Sequence, residues 1–239
     1  MNKVKSLKDG LENFKRNQIL LPISLIYSFI LASFLYSFNI TLPRLLSLPL
    51  IRVFIFLMLL FILFCCAYFF ERFLVALMIR ISSDKKKNPE KSFEYVERIV
   101  GSFIIASLIY LCLGAFSLLA SQFLEPIELF IFLIVILIIS IKVALYEYAI
   151  AIDGAGVIKS FIISWKLTEN NWFNIFFLKM FFFIIYILTY LILYFVSKVT
   201  LYPINFYLVT FLLTIFLKPW EISTFSIVFK NLKKERKKK

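Results

Sequence analysis

Residues 82–123 read SSDKKKNPEKSFEYVERIVGSFIIASLIYLCLGAFSLLASQF. The first part, 82–97, is the most polar connector in the chain. The remainder, 98–123, carries a single charge at its start, Arg98. An apolar helix of about 20 residues crosses the hydrocarbon core of a bilayer, so the second part is long enough to span. The same alternation recurs along the chain, with apolar runs at roughly 18–41, 50–72, 98–123, 127–149, 173–196 and 204–218. This pattern predicts an all-α fold, a polytopic membrane bundle of six transmembrane helices within one membrane domain over residues 1–229. A basic cytoplasmic tail is expected over 230–239.

The composition agrees. Of 239 residues, 62% are hydrophobic, and the mean hydropathy is +0.93. Soluble domains run nearer half apolar, and no segment here is long and polar enough to fold separately. There is no histidine, which removes the commonest general base and metal ligand. Cys65, Cys66 and Cys112 all fall inside apolar runs without metal-ligand spacing, and read as small hydrophobes. The 30 Phe and 12 Tyr accompany abundant Ile, Leu and Lys, a compositional bias rather than an aromatic cage. No cofactor is expected. The net charge of +13 flanks apolar runs, so it points to anionic headgroups and not to nucleic acid.

The distribution of that charge sets an orientation. Lys3, Lys5, Lys8, Lys15 and Arg16 precede the first run; Arg80, Lys85, Lys86, Lys87, Lys91 and Arg98 flank the second connector. Lys159 and Lys166 lie in the fourth connector, and seven basic residues fall in 230–239. Against these twenty, the alternate connectors hold Arg44, Arg52 and Lys198. Positive residues stay cytoplasmic, so both termini are expected in the cytoplasm and the protein in the cell membrane. Trp165, Trp172 and Trp220 map to the same side, at the depth indoles prefer.

Two short interfacial helices are expected, at about 6–16 and 157–171. The first carries Leu7, Leu11 and Phe14 at helical spacing, with Ser6 as its cap. The second carries Ile158, Phe161, Ile162 and Trp165 on one stripe, although Ile163 and Leu167 fall on the other side. Such a helix would wedge between bundle and headgroups. Residues 73–81 should continue the second span into the cytoplasm. Pro89 should open the helix of the third span, and Pro219 with Trp220 should end the sixth.

Ionisable groups at membrane depth are functional candidates by default. Lys142 is the foremost, because its side chain leans toward the bilayer centre and needs a partner. Glu71 is one candidate, and such a pair would read first as a structural tie between spans. With Glu147 and Asp153, Glu71 would form an acidic group near the inner ends of two spans, although Asp153 also reads as a helix cap before Gly154. Lys179 and Lys218 read as side chains that snorkel to headgroups. The chain has no phosphate-binding glycine loop, H-E-x-x-H or G-x-S-x-G motif, and no G-x-x-x-G. No metal site and no catalytic residue are read from it.

Residues 148–172, YAIAIDGAGVIKSFIISWKLTENNW, carry a resemblance. They are similar to a pattern in a broad group of prokaryotic six-span proteins related to the membrane domain attached to some glycerophosphodiester phosphodiesterases. There a span ends in a small or acidic turn, followed by Ser-Trp-Lys-Leu-Thr or similar, and an aromatic residue before the next span. The likeness covers the membrane part alone, so it implies architecture and not phosphodiester hydrolysis. It implies that Ser164, Trp165 and Lys166 seat the short helix at the interface. Trp172 and Trp220, at the depth indoles prefer, are further expected lipid contacts.

The sequence therefore leads to a non-enzymatic scaffold or accessory subunit in envelope or lipid homeostasis. Its expected partners are the lipid bilayer, anionic headgroups on the cytoplasmic side, and a membrane or cytoplasmic protein. A transporter component with a site at Lys142, and an intramembrane lipid-modifying enzyme using Glu71, Glu147 or Asp153, are the alternatives.

Overall fold

The computed structural model describes residues 3–45, 50–84, 88–200 and 206–237, and all the regular structure among them is helical. The helices are α1 (Lys3–Arg16), α2 (Leu20–Leu45), α3 (Leu50–Ser83), α4 (Pro89–Ser121), α5 (Pro126–Lys142), α6 (Tyr146–Asp153), α7 (Val157–Thr168), α8 (Trp172–Thr200) and α9 (Phe206–Lys237). The connectors around Pro49 and residues 201–205, and the lysines Lys85, Lys86 and Lys87, lie outside the described residues, as do the side chains of Arg44, Arg52 and Lys198. Pro89 and Pro126 each open a helix, where the missing N–H costs nothing. Asn88 caps α4 by accepting from the Lys91 amide at 3.2 Å.

Four stretches among the described residues are long and apolar enough to cross a membrane: Pro89–Ser121, Pro126–Asp153, Trp172–Ile192 and Val209–Arg236. A shorter apolar helix covers Leu20–Ser33. The dense core does not lie midway along these helices. It gathers at the end of the bundle where α1, α6, α7 and the last turns of α9 meet, a region called here the basic end. Residues 74–79 of α3 are all buried there, so this segment is core on every side rather than a stalk in water. Toward the opposite end, Phe116, Phe123 and Phe130 stand exposed on α4, the turn after it and α5. Lipid tails are as apolar as leucine, so such surface gains little by leaving them.

The helix α9 is the hub, with α1, α2 and α3 laid against it. Its close contacts use hydroxyls where membrane helices elsewhere use glycine. Thr214 donates to Ser28 of α2 at 2.7 Å, and Ser82 of α3 donates to Ser223 at 3.2 Å. One glycine does matter. A Cβ at Gly10 of α1 would sit 2.1 Å from the Thr224 hydroxyl and 2.7 Å from its Cα, so α1 rests backbone-on-helix against α9.

Several sequence expectations are corrected. Pro219 does not end a helix; α9 runs through it to Lys237. Proline lacks the N–H that would bond the carbonyl four residues back, at Ile215. That carbonyl is met instead by the Ser24 hydroxyl of α2, which donates to it at 2.8 Å and is fully buried. Residues 230–237 accordingly continue α9 instead of forming a separate tail: Leu232 is 2% exposed in the core, and Lys230 donates to the Ser83 carbonyl. The run expected at 127–149 is broken at Val143–Leu145, between α5 and α6. Ser6 is buried inside α1, which begins at Lys3, and is not its cap.

Most of the apolar stripe on α7 faces outward, with Phe161 alone of its four residues packed against the core. Ile158, Ile162 and Trp165 are exposed, Ile158 by 76%, whereas Ser160, Ser164, Leu167 and Thr168 are buried. At membrane depth the apolar face suits lipid. The hydroxyl face is needed inward, where a broken helix leaves backbone groups to satisfy.

Candidate functional site

Two polar constellations lie at the basic end, and both involve Glu147. The first is built around Arg72 of α3, which the sequence reading passed over. Its guanidinium bonds both carboxylate oxygens of the adjacent Glu71, the Nη2 contact being 2.8 Å, and its Nη1 reaches Glu147 Oε1 of α6 at 2.9 Å. The planar fork of arginine suits two acceptors at once. Tyr146 donates to the same Glu147 oxygen at 3.1 Å and lies 3.4 Å from the Ser107 hydroxyl of α4. Its ring stacks on Phe161 of α7, centroids 4.9 Å apart. The network therefore ties α3, α4, α6 and α7. The two carboxylates are held together by the cation, which the approach of like charges requires.

Lys142 and Asp153, expected with these acids, are elsewhere. The Lys142 ammonium lies 5.4 Å from the centre of the Trp165 ring, a cation–π contact. Asp153 accepts from Lys233 of α9 at 2.6 Å, and the chain then turns through Gly154 in the left-handed region, at φ 67°. Thus Glu71 and Glu147 share a cation, while the four-residue polar group read from sequence does not form.

The break between α5 and α6 explains Ser164. With the helix interrupted, the Lys142 carbonyl and the Leu145 amide lose their helical partners. The Ser164 hydroxyl donates to the Lys142 carbonyl at 2.9 Å and accepts from the Leu145 amide at 2.9 Å. Thr168 donates to the same carbonyl at 3.1 Å. Ser164 is fully buried and so makes no headgroup contact; it is a clamp on the elbow. Trp165, Lys166 and Trp172 are exposed, as a headgroup contact requires. Trp220 is half-buried, its indole N–H donates to the Leu7 carbonyl at 3.2 Å, and its ring packs edge-on against Phe182. It fastens α1 to the bundle instead of anchoring in lipid.

The second constellation is a cavity of about 130 Å³ among α6, α8 and α9. Its polar lining includes Tyr110, Glu147, Tyr148, Lys179, Lys218 and Glu221. Lys218 pairs with Glu221 at 3.2 Å. Lys179 and Lys218 were both read as snorkelling outward. Their convergence depends on how α8 and α9 rotate against α6, which spacing within one helix does not reveal. Among the described residues no group of three Cys, Asp or Glu is placed to hold a metal ion.

Residues 94–228 match the family model described as "Domain of unknown function (DUF7847)"; with more than half of its length inside the match, the chain belongs to that family. The matched stretch contains the elbow, its Ser164 clamp and most of the cavity, and leaves out Glu71, Arg72 and α1. No curated protein and no solved structure matches the chain.

Proposed function

We propose that this family member is a six-span protein of the cell membrane with both termini in the cytoplasm. It acts as a non-enzymatic scaffold or accessory component, holding anionic headgroups and a membrane or cytoplasmic protein at its basic end. Six crossings follow if α2 and α3 join the four apolar stretches. At 26 and 34 residues they are about 39 and 51 Å long, more than a bilayer core needs. The excess of twenty basic residues over three supports the orientation. The kinship of residues 148–172 with membrane domains attached to glycerophosphodiester phosphodiesterases belongs to the same proposal.

The observation that carries this reading is that the basic end is a packed layer with exposed cations. Lys8 and Lys15 on α1, Lys159 and Lys166 on α7, and Lys234 and Arg236 on α9 are exposed beside Trp165 and Trp172. Each lysine near an anionic surface contributes about 1 kcal/mol. A transport path through Lys142 finds no support in a residue that sits on Trp165. An enzyme using all three acids finds none in carboxylates bound to different cations.

The test uses the full chain in nanodiscs of mixed neutral and anionic lipid, with Lys159, Lys166 and Lys234 all changed to Glu. Anionic lipid retained through purification should fall severalfold at unchanged thermal stability, because these side chains are exposed. Equal retention by both proteins would defeat the reading, as would reporter fusions that place either terminus outside.

A further inference from the structure

The cavity lined from α3, α4, α6, α8 and α9 presents polar groups that no described residue meets. Tyr148 is 6% exposed, yet its hydroxyl makes no hydrogen bond with a described residue and is not among the fully enclosed atoms that lack a partner. Tyr148 is one of the residues that line the cavity. Lys179 lines the same space and makes no hydrogen bond or ion pair with a described residue. An unpaired ammonium part-way along an apolar helix is costly, and is retained where it serves a ligand or a path. The carboxylates that line the same cavity are only half used. Glu147 takes Arg72 and Tyr146 on Oε1, and Glu221 takes Lys218 on Oε2. The second oxygen of each carboxylate makes no hydrogen bond with a described residue.

We propose that this cavity binds a small zwitterion. Its oxyanion is held by the Lys179 ammonium and the Tyr148 hydroxyl, and its ammonium by the second oxygens of Glu147 and Glu221. The lining residues carry two cations and two carboxylates, so the site is neutral overall. A lone anion would meet the carboxylates, and a lone cation would meet Lys179; a molecule bearing both charges satisfies both. A volume of about 130 Å³ is roughly the share of four waters in the liquid. That suits a free amino acid of alanine size or the charged tip of an ethanolamine phospholipid. The polarity of the cavity is the same whichever way the chain is inserted.

The test measures binding to the full chain in detergent, by native mass spectrometry and ligand-induced thermal shift. The probes are alanine, lysophosphatidylethanolamine and lysophosphatidylcholine. The choline lipid has no N–H to give the carboxylates, and should bind about tenfold or more weakly than its ethanolamine counterpart. Lys179→Met removes a charge that has no partner among the described residues, so it should fold at least as stably while losing about tenfold or more in affinity. Tyr148→Phe keeps the ring and should lose about threefold to tenfold. Binding of alanine with these losses assigns a soluble ligand; binding of the ethanolamine lipid alone assigns a headgroup. Absence of binding by either, or equal binding by wild type and Lys179→Met, overturns the proposal and leaves the cavity to water.

Discussion

Removing the Ser24 hydroxyl should destabilise the protein only while Pro219 is present. The Ile215 carbonyl has no helical donor because residue 219 is proline, and Ser24 supplies one from α2 at 2.8 Å. Ser24 is fully buried, so in Ser24→Ala no water replaces it. An orphaned buried acceptor costs about 1–3 kcal/mol. Interhelical hydrogen bonds in membranes average about 0.6 kcal/mol and reach about 1.7. The carbonyl here has no fallback within its own helix, so the loss belongs near the upper figure, about 1.5 kcal/mol. In a Pro219→Ala background the restored amide can bond Ile215, and Ser24 can turn to its other acceptor, the Leu21 carbonyl at 2.9 Å. There Ser24→Ala should cost only a few tenths of a kcal/mol. The double-mutant cycle therefore predicts a coupling of about 1 kcal/mol, roughly a fivefold change in the folding equilibrium. Reversible unfolding of the four proteins in mixed detergent micelles measures it. Equal cost in both backgrounds would refute the account of how α9 passes its proline.

Three further outcomes follow from the same geometry. Arg72→Met strands two carboxylates whose side chains are 13% and 22% exposed, and should cost about 3 kcal/mol in the same unfolding assay; adding Glu71→Gln and Glu147→Gln should recover most of it, and failure to recover would mean that Arg72 acts through packing alone. Ser164→Ala leaves the Lys142 carbonyl with Thr168 and the Leu145 amide with nothing, so hydrogen exchange at Leu145 should quicken, with a loss of about 1–2 kcal/mol; unchanged exchange there would remove the clamp. Gly10→Val drives a side chain into the Thr224 backbone, and should free α1 to proteolysis while the spans stay protected; cleavage no faster than wild type would show that α1 is held from elsewhere.

Much of the plan was legible because membrane helices report themselves through length and apolarity. The runs beginning near Pro89 and Pro126 appear as α4 and α5, because an N-terminal proline and a long apolar stretch act locally. The short helix at 157–171 is also present as α7. Which of its faces packs inward was not legible, since an apolar stripe marks the buried side only where the surroundings are water. Lys142 looked foremost because its environment was judged along its own helix, whereas its neighbour is Trp165 on α7. Arg72 went unnoticed beside Glu71, since an adjacent opposite charge at a span boundary looks like an ordinary interfacial pair. Its reach to Glu147, 75 residues away, leaves no trace in spacing.

That this chain is helical, apolar over spans of bilayer length, and charged mostly on alternate connectors is written in each segment separately. Where helices break or continue depends on packing between them. Pro219 should have ended α9, and residues 143–145 should have stayed helical. The outcome reversed in both places because hydroxyls from neighbouring helices, Ser24 and Ser164, met backbone groups that their own helices could not. In a medium without water a backbone polar group must find a protein partner, and which partner is within reach is a property of the packed bundle.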